Sequence, residues 1–390
     1  MKIYSTISKC RVCGSKELTK LFSLGELYIS TFVENKGENI GKAPLALVYC
    51  ENCTLVQLKH TAPQELLYSG NYWYESALNQ VIIDDLRDIV QKAVEIAKPK
   101  VGDYFLDIGA NDGTLLSFVP KEFYRLGIEP AKNLENKIQK IIRRNGKDGY
   151  STHMWEDVNG LPGEKPKVIT AIGMFYDSED PNKFIGNVKK HLADDGLFIA
   201  QMMTSKAMLD KNDVGNICHE HLEFYSYDSL KFLFEKNGLE IFRVEENTIN
   251  GGSYRLYARH FVKGSVKHPE KITKKDYMDF YKRICKNREK VSKFIENKVI
   301  YGYGASTKGN TILQWYDIKI KGIAEIHPDK IGKLTVGSEI PIVSEAEAKE
   351  KAEYLLVLPY AFKESFIKRE AEWLSAGGKF IFTTPELEII

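Results

Sequence analysis

Between residues 101 and 203 the chain repeats one pattern, a short apolar run followed by a stretch able to form a helix. The runs are "YFLDIGA", "YRLGIEP", "KVITAIGM" and "DGLFIAQMM". This alternation is the signature of an α/β fold with a central, Rossmann-like parallel sheet. It restarts in "KVIYGYGASTKGNTILQWYDI" and continues through "KGIAEIHP", "EYLLVLPYA" and "GGKFIFTTPE", so a second, smaller Rossmann-like unit is expected towards the C-terminus. The segment before residue 70 has little helical periodicity and carries paired cysteines instead.

Neither a solenoid-period repeat nor a low-complexity tract interrupts these blocks, and the expected domains are 1–70, 71–262 and 263–390. Apolar residues at helical spacing predict a helix within residues 76–100, ended by Pro99. A lysine-rich stretch, roughly 269–297, reads as a solvated amphipathic helix separating the second block from the third. With 55 basic against 53 acidic residues, the net charge of +2 provides no field of the kind that nucleic acid or an acidic membrane requires. No apolar run reaches the roughly 18 residues of a membrane span, and the N-terminus lacks a secretion-signal core, so a cytoplasmic protein is expected. Self-association is expected to be absent or weak, giving a monomer or a weak homo-oligomer.

Cys10-x-x-Cys13 and Cys50-x-x-Cys53 form two tight pairs 36 residues apart. In a reducing compartment such pairs favour metal binding over disulfides, and four thiolates close a tetrahedral zinc shell. That set leaves no open coordination position, so its role is structural. Redox dithiols and unliganded cysteines are the alternatives.

"FLDIGANDGTLL" is a strand running into a glycine loop and then a helix. The glycines Gly109 and Gly113 alone suit several nucleotides, but the acids Asp107 and Asp112 would repel a pyrophosphate. S-adenosylmethionine instead brings a sulfonium and an ammonium, so the charge balance favours methyl transfer, with Asn111 in the same loop. Glu129, 22 positions after Asp107, falls at the end of the next strand, where a carboxylate accepts both ribose hydroxyls. A dinucleotide loop and a purely structural turn remain as alternatives.

"GNICHEHLEFYS", residues 215–226, concentrates titratable groups. On a strand His219 and His221 would face one way, while Glu220 would face the other, so a third metal ligand is not evident. Acid/base chemistry is favoured over structural hydrogen bonding and over metal binding. In the third block "GYGASTKGN" again follows a strand and precedes a helix. It is cationic, and Ser306, Thr307, Lys308 and Asn310 could receive a diphosphate; a structural turn or a second cofactor site are the other readings. Arg255, in "GGSYRLY", is a further candidate for substrate contact, although strand alternation could turn it to solvent.

In order along the chain, the four cysteines, "NYWYES", "DIGANDG", "HEHLEFYS", "NGGSYRLYA" and "YGYGASTKGNT" resemble the nucleotide-sugar C-methyltransferases, which place a branching methyl group on deoxysugars. The resemblance runs end to end. It implies a zinc-bearing N-terminal domain, a central S-adenosylmethionine domain, a C-terminal Rossmann-like domain and a nucleoside-diphosphate keto-sugar as substrate. It further implies His221 as the general base, Glu220 beside it, and Tyr72 and Tyr74 around the sugar. Two positions depart from the pattern: Cys218 stands where some members carry tyrosine, and "GMFYDSEDP" replaces a histidine-containing loop. The expected reaction is C-methylation of a 4-keto-deoxysugar at the carbon next to the ketone, C3. A histidine with an ordinary pKa of about 6.5 would remove the α-proton. O-methylation, or an inactive zinc-ribbon binding protein, are the competing functions.

Overall fold

Strand formers and turn residues, without helical periodicity, fold the N-terminal segment into an antiparallel sheet of β1 (Leu18–Tyr28), β2 (Lys42–Cys50) and β3 (Val56–Leu58). The computed structural model describes residues 3–68, 72–142, 147–161 and 163–390. The expected boundary between residues 70 and 71, and Asn71 of "NYWYES", lie outside the described residues.

Helix α1 (Gln80–Ala97) is shorter than the 76–100 expectation at both ends. The Asn79 side chain accepts from the Val81 amide at its start, and Lys98 takes a left-handed conformation, φ 46°, just before Pro99. Its apolar stripe of Ile82, Leu86, Ile89, Val90 and Ala93 is buried.

The four runs of the second block form β4 (Tyr104–Ile108), β5 (Tyr124–Ile128), β7 (Val168–Ile172) and β8 (Leu197–Met203), with a short β6 (Gly149–Ser151) at the edge. All five are parallel, as the alternation predicts. Strand β9 (Glu223–Phe224) leaves this sheet altogether. The sheet is completed by β10 (Leu239–Asn247) and β11 (Ser253–His260), of which β11 runs antiparallel to both its neighbours, giving the order β10-β11-β8-β7-β4-β5-β6.

The third block contributes β12 (Ile300–Tyr303), β13 (Ile323–Glu325), β14 (Ile342–Ser344), β15 (Tyr354–Val357) and β16 (Phe380–Phe382), all parallel, with an antiparallel β17 (Glu388–Ile389) at one edge. The lysine-rich helix α2 (Lys274–Ile295) is amphipathic, but it joins blocks as well as separating them. Tyr277, Phe280 and Ile284 are buried on its inner face, and Tyr281 stacks on Phe22 of β1 with ring centres 4.6 Å apart. Apolar side chains of the first sheet, of residues 217–224 and of the third block belong to one continuous core.

Strand β9 pairs with β3 of the N-terminal sheet, Glu223 opposite Gln57 and Phe224 opposite Val56. The Leu58 amide extends the ladder by donating to the Leu222 carbonyl at 2.9 Å. Arg11, between the first two cysteines, lies beneath this junction. Its guanidinium donates to Leu58 O at 2.7 Å and Thr61 Oγ1 at 2.6 Å, and it stands 3.6 Å from the buried Glu223 carboxyl. Burial pushes the Glu223 carboxyl up, and the guanidinium works against that shift. Arg11→Ala strips partners from several buried groups at once and should lower the unfolding free energy by about 3 kcal/mol in chemical denaturation.

Candidate active site and metal centre

The two cysteine knuckles close on one another. Gly14 and Thr54 donate their amides back to the Cys10 and Cys50 carbonyls, and both take positive φ, 76° and 61°. Cys10 Sγ lies 3.5 Å from Cys53 Sγ, and Cys13 Sγ lies 3.4 Å from Cys50 Sγ. All four sulfurs fall within 4.8 Å of one another. Zinc–sulfur bonds of about 2.3 Å in a tetrahedron need sulfurs roughly 3.8 Å apart, so the cradle fits the ion without rearrangement. Gln57 Nε2 donates to Cys10 Sγ at 3.3 Å, a contact that favours the thiolate. The Cys10 thiol is pulled down to about 4, chiefly by Cys53, while burial pushes Cys50 up to about 11.

In the central sheet the glycine loop follows β4, at the C-terminal end of the parallel strands where α/β ligand crevices open. Gly109 has φ +69°, and a Cβ there would lie 2.7 Å from Met174 Cγ, so the crevice floor needs glycine. The crevice is lined by Asp107, Gly109, Asn111 and Glu129, by Tyr72 and Tyr74, and by Glu156 and Asp177. Among the described residues lining it there is no lysine or arginine. Burial raises the Asp107 carboxyl to about 7, although Thr170 Oγ1 donates to it at 2.6 Å. Glu129 accepts from the Asn111 and Ala131 amides at 2.9 and 2.8 Å, which aims the carboxylate and leaves lone pairs for a ligand.

The other loop residues have different work. Asp112 accepts from Thr114 N and Oγ1 and from Ala77 N, and it does not line the crevice. These bonds make it a cap of the loop, set back from the crevice where the sequence had placed it. Gly113 also stays outside, because the ideal Cβ position there points at Ile141 and Ile138. Asn111 donates to Tyr74 O and accepts from Ser76 N, so the tyrosine segment is fastened to the loop at two points, with the Asp112–Ala77 bond as a third.

Next to this crevice, and sharing Tyr72, Tyr74 and Asp177 with it, is a chamber lined by His221, Glu220, Tyr176, Thr307 and Lys308. Residues 219–221 form a turn, not a strand, so the two histidines diverge. His219, expected beside His221, lines neither cavity: its Nε2 meets Ala43 O at 2.9 Å, a tie to the N-terminal sheet. His221 Nδ1 meets Asn216 O at 2.8 Å, and a carbonyl accepts only, so Nδ1 carries the hydrogen and the neutral ring keeps its lone pair on Nε2. Burial, helped by the Lys308 charge, lowers the His221 pKa to about 3. The imidazole is thus neutral at every working pH, whereas an unperturbed histidine would be titrating. Burial lifts the Glu220 carboxyl to about 7, against a hydrogen bond from Thr307.

Cys218, Glu220 and His221 also offer ligand atoms within 4.8 Å of one another. The Lys308 ammonium already supplies positive charge to all three groups, which weakens the case for a second ion there.

A third cavity opens outward from Glu220 and Thr307 past Ser306, Trp73 and Lys330. Ser306 caps helix α3 (Thr307–Tyr316) by accepting from Gly309 N. Lys308 is not on this cavity but turns into the His221 chamber, unlike the diphosphate role expected for it. Asn310 is buried and lines none of the three cavities. Arg255 is 3% exposed, turned away from solvent and held by Asp85, Asp88 and Gln201, and it lines none of the three cavities.

Asp177 was not singled out from sequence, yet it lines both the crevice and the chamber, with a buried Oδ1 unpartnered among the described residues. Burial and the neighbouring Glu220 push its carboxyl well up. The available signal was its place directly after the fourth parallel strand, in "GMFYDSEDP".

A Rossmann-like sheet, an acidic crevice over a glycine loop and a four-thiolate centre define a zinc-bearing S-adenosylmethionine-dependent methyltransferase. Three family models match in chain order: "Putative zinc binding domain" over residues 10–68, "Methyltransferase domain" over 78–244 and "C-methyltransferase C-terminal domain" over 248–385. The chain thus matches these three models in succession from residue 10 to residue 385. It is 28% identical to C-methyltransferase NovU of Streptomyces niveus over 415 residues, covering 100% of this chain and 98% of that protein. Among solved structures, an S-adenosylmethionine-dependent methyltransferase of Clostridium acetobutylicum matches with a TM-score of 0.39 and 15% identity, over 46% of this chain and 92% of its own. The N-methyltransferase NodS of Bradyrhizobium japonicum matches with a TM-score of 0.35 and 11% identity, over 45% and 95%. Among the described residues no helix is long and apolar enough to cross a membrane.

Cys50→Ser should abolish stoichiometric zinc in metal analysis and lower Tm by at least about 5 °C, because the site's binding energy is also folding energy.

Proposed function

We propose that the protein methylates a nucleoside-diphosphate 4-keto-deoxysugar at the carbon next to the ketone, C3. The observation that carries this reading is the neutral His221 in a chamber that shares Tyr72, Tyr74 and Asp177 with the cofactor crevice. A base and a methyl donor on two sides of one space suit a carbon nucleophile made in place. S-adenosylmethionine, when bound, supplies an electrophilic methyl group on a sulfonium.

Asp107 and Glu129 would hold that cofactor, the first by charge and the second through the ribose hydroxyls. His221 Nε2 takes the α-proton, and the C–H electron pair becomes the carbon–carbon double bond of an enolate. Glu220, bound to Thr307, positions a sugar hydroxyl, while Tyr72 and Tyr74 wall the ring and keep water out. The nucleoside diphosphate fits the outer cavity, where Ser306 caps α3 and the Trp73 Nε1 donor is buried without a partner among the described residues. Lys330 lines the same cavity and brings the cationic charge that sequence reasoning had sought in Lys308.

Deuterium placed next to the ketone of a keto-sugar nucleotide should wash out in the presence of the protein. His221→Ala should lower turnover by about 10²- to 10⁴-fold with S-adenosylmethionine affinity near normal. An O-methyl product without exchange, or no cofactor binding at all, would replace this reading with one of its competitors.

The Asp107 carboxyl adds a pH signature. Raised to about 7 by burial, it must ionise to meet a cation, so S-adenosylmethionine affinity should rise between pH 6 and 8 and then level off. Calorimetric titration should show proton release below pH 7, and Asp107→Asn should remove both effects.

A further inference from the structure

His221 is held neutral by burial, and the same burial makes it a weak base. Removing a proton next to a ketone is then feasible only if the developing oxyanion is strongly stabilised, and the question is which group does so. The tyrosines are the obvious donors, but a second candidate is better placed.

Lys308 enters the chamber from the first turn of α3. Among the described residues its one hydrogen-bond partner is Met203 Sδ, at 2.8 Å, and a thioether is a weak acceptor. No carboxylate of the described residues lies within ion-pair distance of its Nζ, although Glu220, Asp177 and Asp213 feel its charge. A cation in a partly buried chamber with donor capacity unspent is placed to receive an anion. The anion is not the diphosphate, because the cavity of Ser306 and Lys330 does not include Lys308.

We propose that Lys308 is a catalytic residue, the electrophile that receives the enolate oxygen while His221 takes the α-proton. The idea rests on the C-methylation reading. In balance, the α C–H bond breaks, its proton goes to His221 Nε2, its electron pair forms the carbon–carbon double bond, and the carbonyl π pair moves onto oxygen. The Lys308 ammonium donates a hydrogen bond to that oxygen and keeps its proton. The arrangement suits a charge absent from the ground state and present in the enolate, so the interaction lowers the barrier more than it tightens binding.

The test is Lys308→Met, close in length to lysine and able to rest on Met203, alongside Lys308→Arg. Each variant and the wild type are given a nucleoside-diphosphate 4-keto-deoxysugar deuterated next to the ketone, with S-adenosylmethionine titration and zinc content as checks of the fold. The expected result for Lys308→Met is a loss of about 10²- to 10³-fold in both exchange and kcat, with KM for the sugar nucleotide changed less than about threefold. Lys308→Arg, which keeps the charge, should recover part of the exchange. A raised KM with exchange and kcat retained would return Lys308 to substrate binding and overturn the proposal. If the wild type exchanges no deuterium from any such sugar, the C-methylation reading fails and the role of Lys308 fails with it. Exchange in the wild type that persists undiminished in Lys308→Met overturns the role of Lys308 alone.

Discussion

Everything at the candidate site hangs on two residues of β-pairing. Strand β9 leaves the central sheet and adds itself to the N-terminal one, Glu223 against Gln57 and Phe224 against Val56. A two-residue strand is too short to hold a position by its own ladder. Here the ladder is reinforced by the Leu58–Leu222 bond, by His219 on the Ala43 carbonyl, and by Arg11 reaching across to Glu223. Gln57 takes part on both sides, since its backbone pairs with Glu223 and its side chain donates to Cys10 Sγ. The four thiolates therefore stand one residue from the strand that fixes His221. The cysteine cradle, remote from His221, is thereby tied to the turn that positions it.

That placement explains the electrostatics of the chamber. Burial lifts the Glu220 carboxyl of the chamber, like Asp107 of the neighbouring crevice, to about 7 and drops His221 to about 3. The chamber thus prefers neutral forms of its acids and of its histidine, and Lys308 is the charge set among them.

Much of the fold was legible because parallel strands and their connecting helices leave a local signature. Each strand expected from the alternation is present, and so is the second, smaller sheet. What pattern could not reveal was the destination of "HEHLEFYS". Its partner in β3 lies 166 positions earlier, counting from Gln57 to Glu223, and nothing in its composition names that partner. The same limit governed individual side chains. Asp112 and Gly113 sit in the cofactor loop by sequence, yet one is used by Thr114 and Ala77 and the other by the packing of Ile138 and Ile141. Arg255 was ambiguous because alternation gives a face and not a neighbour, and its neighbours turned out to be carboxylates on α1. Asp177 was overlooked because a lone aspartate in a loop has no motif.

The glycine loop and the chamber must also keep their distance from one another, since an in-line transfer tolerates little misplacement. The structure solves this with the segment from Tyr72 to Ala77. It is fixed to the loop by Asn111 and Asp112, and to residue 133 by paired bonds between Tyr72 and Asn133. Tyr72 and Tyr74 then line the crevice, the chamber and the outer cavity at once. Glu75, within the same segment, reaches His327 of the third block at 3.6 Å, and Phe32 and Val33 pair with residues 334–335. The C-terminal unit, which brings Thr307 and Lys308, is therefore tied through this segment to the loop that shapes the cofactor crevice. Three sheets converge on one small space, so a shift of any of them would be felt as a change in the distance between His221, Lys308 and the cofactor crevice.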